Sequence, residues 1–371
     1  MEYDVARPWV KPEHTRLEVI DAGERFRDPH SRPGPSDYLV LDNWRAAHAF
    51  PLNSVAMTLN GKAKAISDQA DVWRRLKRFP SIVSKLRRIR RLTLWEIQDI
   101  GGARVIFEDC TDVDRLLAAY DGKAMHAARF SCRLNHVDNY IEHPKKDGYR
   151  SAHVIIDYQG RLQTTQAWNG LRIEIQIRSR MQHLWSTTVE TLESILSQRL
   201  RTFQGDERWK KFLRLVSSAI ALKEGRQAVP GTPASIDEIR GEVVQVEREL
   251  DAKNKLRNYV TAIRLVEEGP RTPSYYYLID MRPNENKTSV RAFRRDQLKQ
   301  ATRAYAEIEA ANRQEAMRES GANAVLVSGS RLADLREAYP NYFLDTGNFL
   351  ALYDSLITGA SPSISPEKTS T

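Results

Sequence analysis

Leu171-Arg172-Ile173-Glu174-Ile175-Gln176-Ile177-Arg178 alternates apolar and polar residues without a break. Successive side chains of a strand point to opposite faces, so the isoleucines line one side and Arg172, Glu174, Gln176 and Arg178 the other. An antiparallel edge facing water gives such a pattern, and so does a strand lining a nucleotide site. Working outward, 150–158 (RSAHVIIDY) and 102–108 (GARVIFE) read as further strands, and 111–122 as a helix capped by Thr111. Residues 66–91 read as helical, with Pro80 as punctuation and Ser81 suited to cap the following helix. Helical patterns at 179–200 and 206–224 complete the expectation of a mixed α/β core over about 66–224, an α/β (α+β) fold in which helices flank a mixed β-sheet.

On either side the signals differ. Residues 1–50, rich in Pro, Asp and Arg, read as an irregular lead-in with short helices. A Gly/Pro/Ser stretch at 225–235 breaks the chain, and Ser235 with Glu238 gives a capping-box pattern for a long helix reaching about Glu268. Its stripe of Ile239, Val243, Val246 and Leu250 suits packing on the parent domain or, as the alternative, a homodimer. A hairpin over 274–293, a helix over 295–319, a strand at 323–328 and helices within 330–357 make a second small α/β unit at the C-terminus. The tail 359–371 is Ser/Thr/Pro-rich and is expected to be disordered.

Composition narrows the class. The 371 residues are 41% hydrophobic and 28% charged, as in soluble globular proteins, and suggest two or three structural units. No apolar run approaches the roughly 20 residues that span a bilayer, and the N-terminus has no secretory pattern. Cys110 and Cys132 offer at most one bridge and no metal-ligand spacing, so a reduced cytoplasm is the expected location. A net charge of +9 and a pI near 9.4 favour an anionic partner, whether nucleotide, RNA or acidic lipid. Arg74 to Arg91 carries most of the local excess.

Three further segments carry candidate chemistry. Ser81, Lys85 and Arg88, spaced for one helical face with Arg75 and Lys77 upstream, could cradle a polyphosphate or form a solvated basic face. Asp99 precedes Gly101 and Gly102, which let other groups approach closely, and Arg104 follows on the same strand. A divalent metal site or an ordinary turn would use the same residues. In HPKKDGYRSAH (143–153), Tyr149 could stack on a purine while Lys145 and Arg150 meet phosphate, or Tyr149 and His153 could merely pack.

Four blocks taken in order resemble the synthetase domain of the RelA/SpoT family, whose products are the alarmone nucleotides pppGpp and ppGpp. They are R-x-K-x-x-x-S-I-x-x-K-L-x-R at 75–88, D-I-G-G-A-R-V-I at 99–106, P-K-x-x-G-Y-R-S-x-H at 144–153 and I-E-I-Q-I-R-S at 173–179. The resemblance spans roughly 50–225 and sets the expected synthetase-like domain at 51–225, with a nucleotidyltransferase-like sheet. It implies that Arg75, Lys77, Ser81, Lys85, Arg88 and Arg104 hold ATP. Asp99 and Glu174 would bind Mg²⁺, with Glu174 accepting the proton of the attacking hydroxyl. Lys145, Tyr149, His153 and Gln176 would serve the acceptor nucleotide, Tyr149 by stacking on guanine. The implied activity is transfer of pyrophosphate from ATP to the 3′-hydroxyl of GDP or GTP.

The chain also departs from the family pattern. Many members follow Trp with a Glu-His pair about four residues on, whereas Trp185 is followed here by Ser-Thr-Thr-Val189-Glu190, with no His. Residues 1–65 carry no His-Asp signature of a hydrolase, so synthesis without hydrolysis is expected. Two alternatives stay open: transfer to the 3′ end of tRNA, for which the basic clusters at Lys85 to Arg91 and Arg199/Arg201 could bind RNA, and a non-catalytic nucleotide sensor. Residues 270–358 show no signature, and a neutralising or sensing role is an expectation only.

Overall fold

The computed structural model describes residues 9–120, 132–196, 200, 205–257, 276–282, 287–316, 323–328 and 342–360. It divides into two compact units, Met1–His143 with Ser151–Arg180, and Pro144–Arg150 with Met181–Thr371. Among the described residues no helix is long and apolar enough to cross a membrane.

The first unit is built on five strands, β1 (Asp71–Leu76), β2 (Gly101–Phe107), β3 (Cys132–Asn139), β4 (Ala152–Tyr158) and β5 (Arg172–Ser179), in the order β1-β2-β5-β4-β3. Only β2 and β5 run parallel; the other neighbours are antiparallel. The expected mixed sheet flanked by helices is therefore present. The quoted strand is not an edge, however, but the middle of the sheet. Its isoleucines, all fully buried, meet Ala103, Val105, Phe107, Val154 and Ile156 on one face. Helices α3 (Ala49–Ile66) and α5 (Cys110–Ala118) cover that face through Leu52, Val55, Leu59, Val113 and Leu116. Burying each such side chain contributes about 1.5–3 kcal/mol, which fixes the register of β5 and leaves its polar row on the opposite face.

Several local expectations give way. Residues 71–76 form a strand, not part of a helix, because DVWRRL completes the sheet against β2. Helix α4 (Phe79–Arg88) starts with Arg78 at its cap and Pro80 in its first turn, so Ser81 sits inside the helix. The cap of α5 is Asp109, whose carboxylate accepts from the amides of Thr111 and Asp112. The lead-in, expected to be irregular with short helices, holds the helices α1 (Arg16–Arg27) and α2 (Pro35–Ala47). A reciprocal capping box between Thr15 and Glu18 starts α1. These helices and α4 share a second core containing Val19, Phe26, Leu41, Trp44, Ile82, Leu86, Leu94 and Trp168.

The second unit contains α6 (Arg180–Leu196, from Met181 onward), α7 (Glu207–Lys223), α8 (Ile236–Leu250), α9 (Leu298–Ala316) and α10 (Tyr342–Thr358). The stripe on α8 is buried as expected and packs on α7, within the unit. Ser235 caps α8 without a side-chain hydrogen bond; α8 ends at Leu250, where Asp251 turns left-handed at φ 52°, and helical residues resume over 252–257. Residues 258–268 of the expected helix lie outside the described residues. The expected hairpin forms as β6 (Tyr276–Arg282) and β7 (Lys287–Phe293), and β8 (Asn323–Ser328) pairs on the far side of β6. The tail from 361 and Arg199 and Arg201 also lie outside.

The N-terminal helices are structural members of the first unit. A Cβ on Gly23 of α1 would stand 2.5 Å from Leu94 Cβ and 3.2 Å from Leu94 N. Gly23→Ala should therefore destabilise by about 1–3 kcal/mol through overpacking, against the gain of about 1 kcal/mol that alanine ordinarily brings to a helix. Denaturant unfolding reads this directly; a higher midpoint would show that α1 does not pack there.

Candidate active site

Residues directly opposed on neighbouring strands share a face. Arg75 on β1 opposes Gly102 on β2, which opposes Glu174 on β5; Arg104 and His153 both oppose Gln176. The sheet thus collects Arg75, Arg104, His153, Glu174 and Gln176 from four strands onto one surface. Gly102 presents no side chain between Arg75 and Glu174, and a Cβ added there would meet nothing nearer than Arg75 O at 3.9 Å. That leaves room for a methyl-sized group beside Glu174.

Asp99 stands just before β2, at the end where β5 begins. Lys77 Nζ lies 2.7 Å from its Oδ2 and Lys85 Nζ 2.8 Å from its Oδ1. Lys77 is fixed by its backbone, whose N–H donates to Ile100 O and whose carbonyl accepts from Arg45. Lys85 projects from α4, whose Ile82 and Leu86 are anchored in the second core. Burial raises the pKa of Asp99, but the two ammonium groups outweigh it and hold the carboxyl well below the usual carboxylate range.

Glu174 is held at both oxygens. His153 Nδ1 lies 3.0 Å from Oε1, and Gln176 Nε2 donates to Oε2 at 2.8 Å. Because a carboxylate only accepts, His153 carries a proton on Nδ1. Burial raises the pKa of Glu174, the bond and charge of His153 lower it, Asp99 raises it and Gln176 lowers it; the net direction is downward. The charge of Asp99 is thus felt at Glu174, from its place just before the strand that pairs with β5.

The remaining expected residues fall as follows. Ser81 and Arg88 lie on α4, Arg88 exposed near its end. His153, expected to serve the acceptor, contacts Glu174. Lys145 and Tyr149 belong to the second unit, where Tyr149 is buried and Lys145 Nζ stands 5.1 Å from its ring centre. Gly148, at φ 94°, lets this loop lie so close to α6 and α7 that a Cβ would be 3.1 Å from both Trp185 and Ser217. Arg150, which could have met phosphate, is buried, donating to Ser217 Oγ at 3.3 Å and Gln227 O at 2.5 Å. The sequence reading missed the lysine pairs on Asp99 and the bond from buried Arg178 to Gln176 Oε1, 3.1 Å long. The alternation of β5 put Arg178 on the correct face, which was the available signal.

The donor set fits a hard divalent cation. One carboxylate lies on β5 beside the side-chain-free Gly102 and the other just before the neighbouring strand β2, and magnesium is commonly bound by one or two carboxylates with substrate phosphates completing its shell. Among the described residues no group of three or more His, Cys, Asp or Glu forms a self-sufficient cage.

Residues 74–192 match the family described as "Region found in RelA / SpoT proteins". GTP pyrophosphokinase YjbM of Bacillus subtilis is 30% identical over 184 residues, covering 49% of this chain and 76% of that protein. GTP pyrophosphokinase YwaC of the same organism is 34% identical over 118 residues, 30% of this chain and 52% of YwaC. The crystal structure of small alarmone synthetase 1 from Bacillus subtilis covers 56% of this chain and 96% of that one, at 26% identity and a TM-score of 0.39. The chain belongs to the RelA/SpoT family.

A carboxylate whose folded pKa lies below its unfolded value stabilises the fold above that unfolded value, and the contribution is lost as pH falls through the folded one. Asp99 is such a group. Wild type should therefore melt higher than Asp99→Asn at pH 7, with the gap closing as the pH falls below about 4. Thermal unfolding across pH checks this; a gap independent of pH would contradict the ion pairs.

Proposed function

We propose that this chain is a magnesium-dependent pyrophosphotransferase that moves the β,γ-pyrophosphoryl group of ATP to the 3′-hydroxyl of GDP or GTP. The reading is carried by two carboxylates at one end of the sheet, Asp99 just before β2 with Lys77 and Lys85 on it, and Glu174 on β5 in register with the strands that bear Arg75 and Arg104. The names of the matching relatives support it.

The acceptor's 3′-oxygen forms a bond to the β-phosphorus while the bond from that phosphorus to the α,β-bridging oxygen breaks, and AMP leaves with the electron pair. The hydroxyl proton goes to Glu174. Each oxygen of Glu174 already accepts one hydrogen bond, yet a carboxylate offers about four lone-pair sites, so capacity for that proton remains. Phosphoryl transfer asks the protein chiefly to align reactants and neutralise charge. Lys77, Lys85, Arg75 and Arg104 supply cations toward the triphosphate, with Ser81 and Arg88 contributing from α4. Mg²⁺, held by Asp99 and Glu174, would neutralise charge that develops on the phosphate oxygens. Gln176 orients Glu174, and the acceptor roles of Lys145 and Tyr149 rest on the family resemblance.

With γ-labelled ATP and magnesium, label should pass to GDP or GTP with one AMP formed per transfer. Glu174→Gln and Asp99→Asn should each lower turnover by about a hundredfold or more without loss of folding. Label in tRNA alone would overturn the acceptor assignment, and near wild-type transfer by either variant would overturn the roles of the carboxylates.

A further inference from the structure

Gln176 can hold Glu174 only in one orientation of its amide. Its Nε2 must face Glu174 Oε2, since its oxygen would repel the carboxylate, and this leaves Oε1 pointing away along the strand. There it accepts from the guanidinium of Arg178, two residues further on and 2% exposed. A guanidinium has donors and no acceptor, so it tolerates only the oxygen end of the amide. The order Arg178–Gln176–Glu174 is thus polarised in one direction along one face of β5, with His153 closing the other side of the carboxylate. Ile173, Ile175 and Ile177 pin the strand from the opposite face.

We infer that Arg178 is a positioning residue, which sets the orientation of Glu174 by locking the amide of Gln176. The inference rests on the proposed role of Glu174. Arg178 acts through Gln176 and need not touch either substrate, so its loss should lower kcat and leave the KM for ATP within about threefold. Outer partners that orient active groups typically cost about 10–100-fold when removed.

A double-mutant cycle tests this with the full-length protein and whichever acceptor takes label in the transfer assay. Arg178→Met and Gln176→Met should each lower kcat by about 10-fold or more. If the two act in series, the double variant should be no slower than Gln176→Met alone, within about twofold. Arg178→Lys keeps the charge at this buried position and covers the case in which methionine prevents folding. It should lower kcat in the wild-type background and change nothing further in the Gln176→Met background. Multiplied losses, an undiminished kcat in Arg178→Lys and Arg178→Met, or a loss confined to KM would overturn the inference. Glu174→Gln measured alongside separates the failures. If it retains transfer, the role of Glu174 falls; if it loses transfer while the cycle is multiplicative, only the role of Arg178 falls.

Discussion

The parallel pairing of β2 with β5 is the constraint on which the site depends. It brings the starts of both strands to one end of the sheet, so that the acid just before β2 and the acid early in β5 come close although 75 positions separate Asp99 from Glu174. The pairing of Gly102 with Glu174 sets the register. A slip of one residue would turn Glu174 into the isoleucine face and expose the isoleucines instead. The packing of α3 and α5 against those isoleucines therefore also fixes the chemistry on the other side.

The site combines carboxylates that are costly to bury with cations that make their burial tolerable. Burial alone would push Asp99 and Glu174 toward protonation. Lys77 and Lys85 reverse that for Asp99, and His153 with Gln176 for Glu174. Both acids are kept as anions, as the proposed metal binding and proton acceptance require. The same lysines and the arginines on β1 and β2 make the surface suited to a polyphosphate.

The central strand and its polar row were legible because period-two alternation is a local signal that tertiary context cannot disguise. Its position in the sheet was not, since an edge strand and a site-lining strand alternate alike. Strand β1 was hidden because DVWRRL is short and runs into basic residues that suit a helix; its pairing with β2 is settled about thirty residues away. The capping box of Thr15 and Glu18 was legible and passed over amid Pro, Asp and Arg. The lysine partners of Asp99, at separations of 22 and 14, follow from the turn between β1 and β2 with α4 inserted, which no local pattern gives. The burial of Arg150 was hidden for the same reason: its partner Ser217 is 67 residues on, and a basic residue beside a glycine turn looks free until the fold covers it.

The central claim is that Asp99 and Glu174 serve one divalent cation together with nucleotide. Manganese, a paramagnetic stand-in for magnesium, can be titrated by electron spin resonance into the protein with a non-hydrolysable ATP analogue. The account predicts nucleotide-dependent binding in the wild type, weakened by about 10-fold or more in both Asp99→Asn and Glu174→Gln. Manganese affinity unchanged in either variant would contradict it.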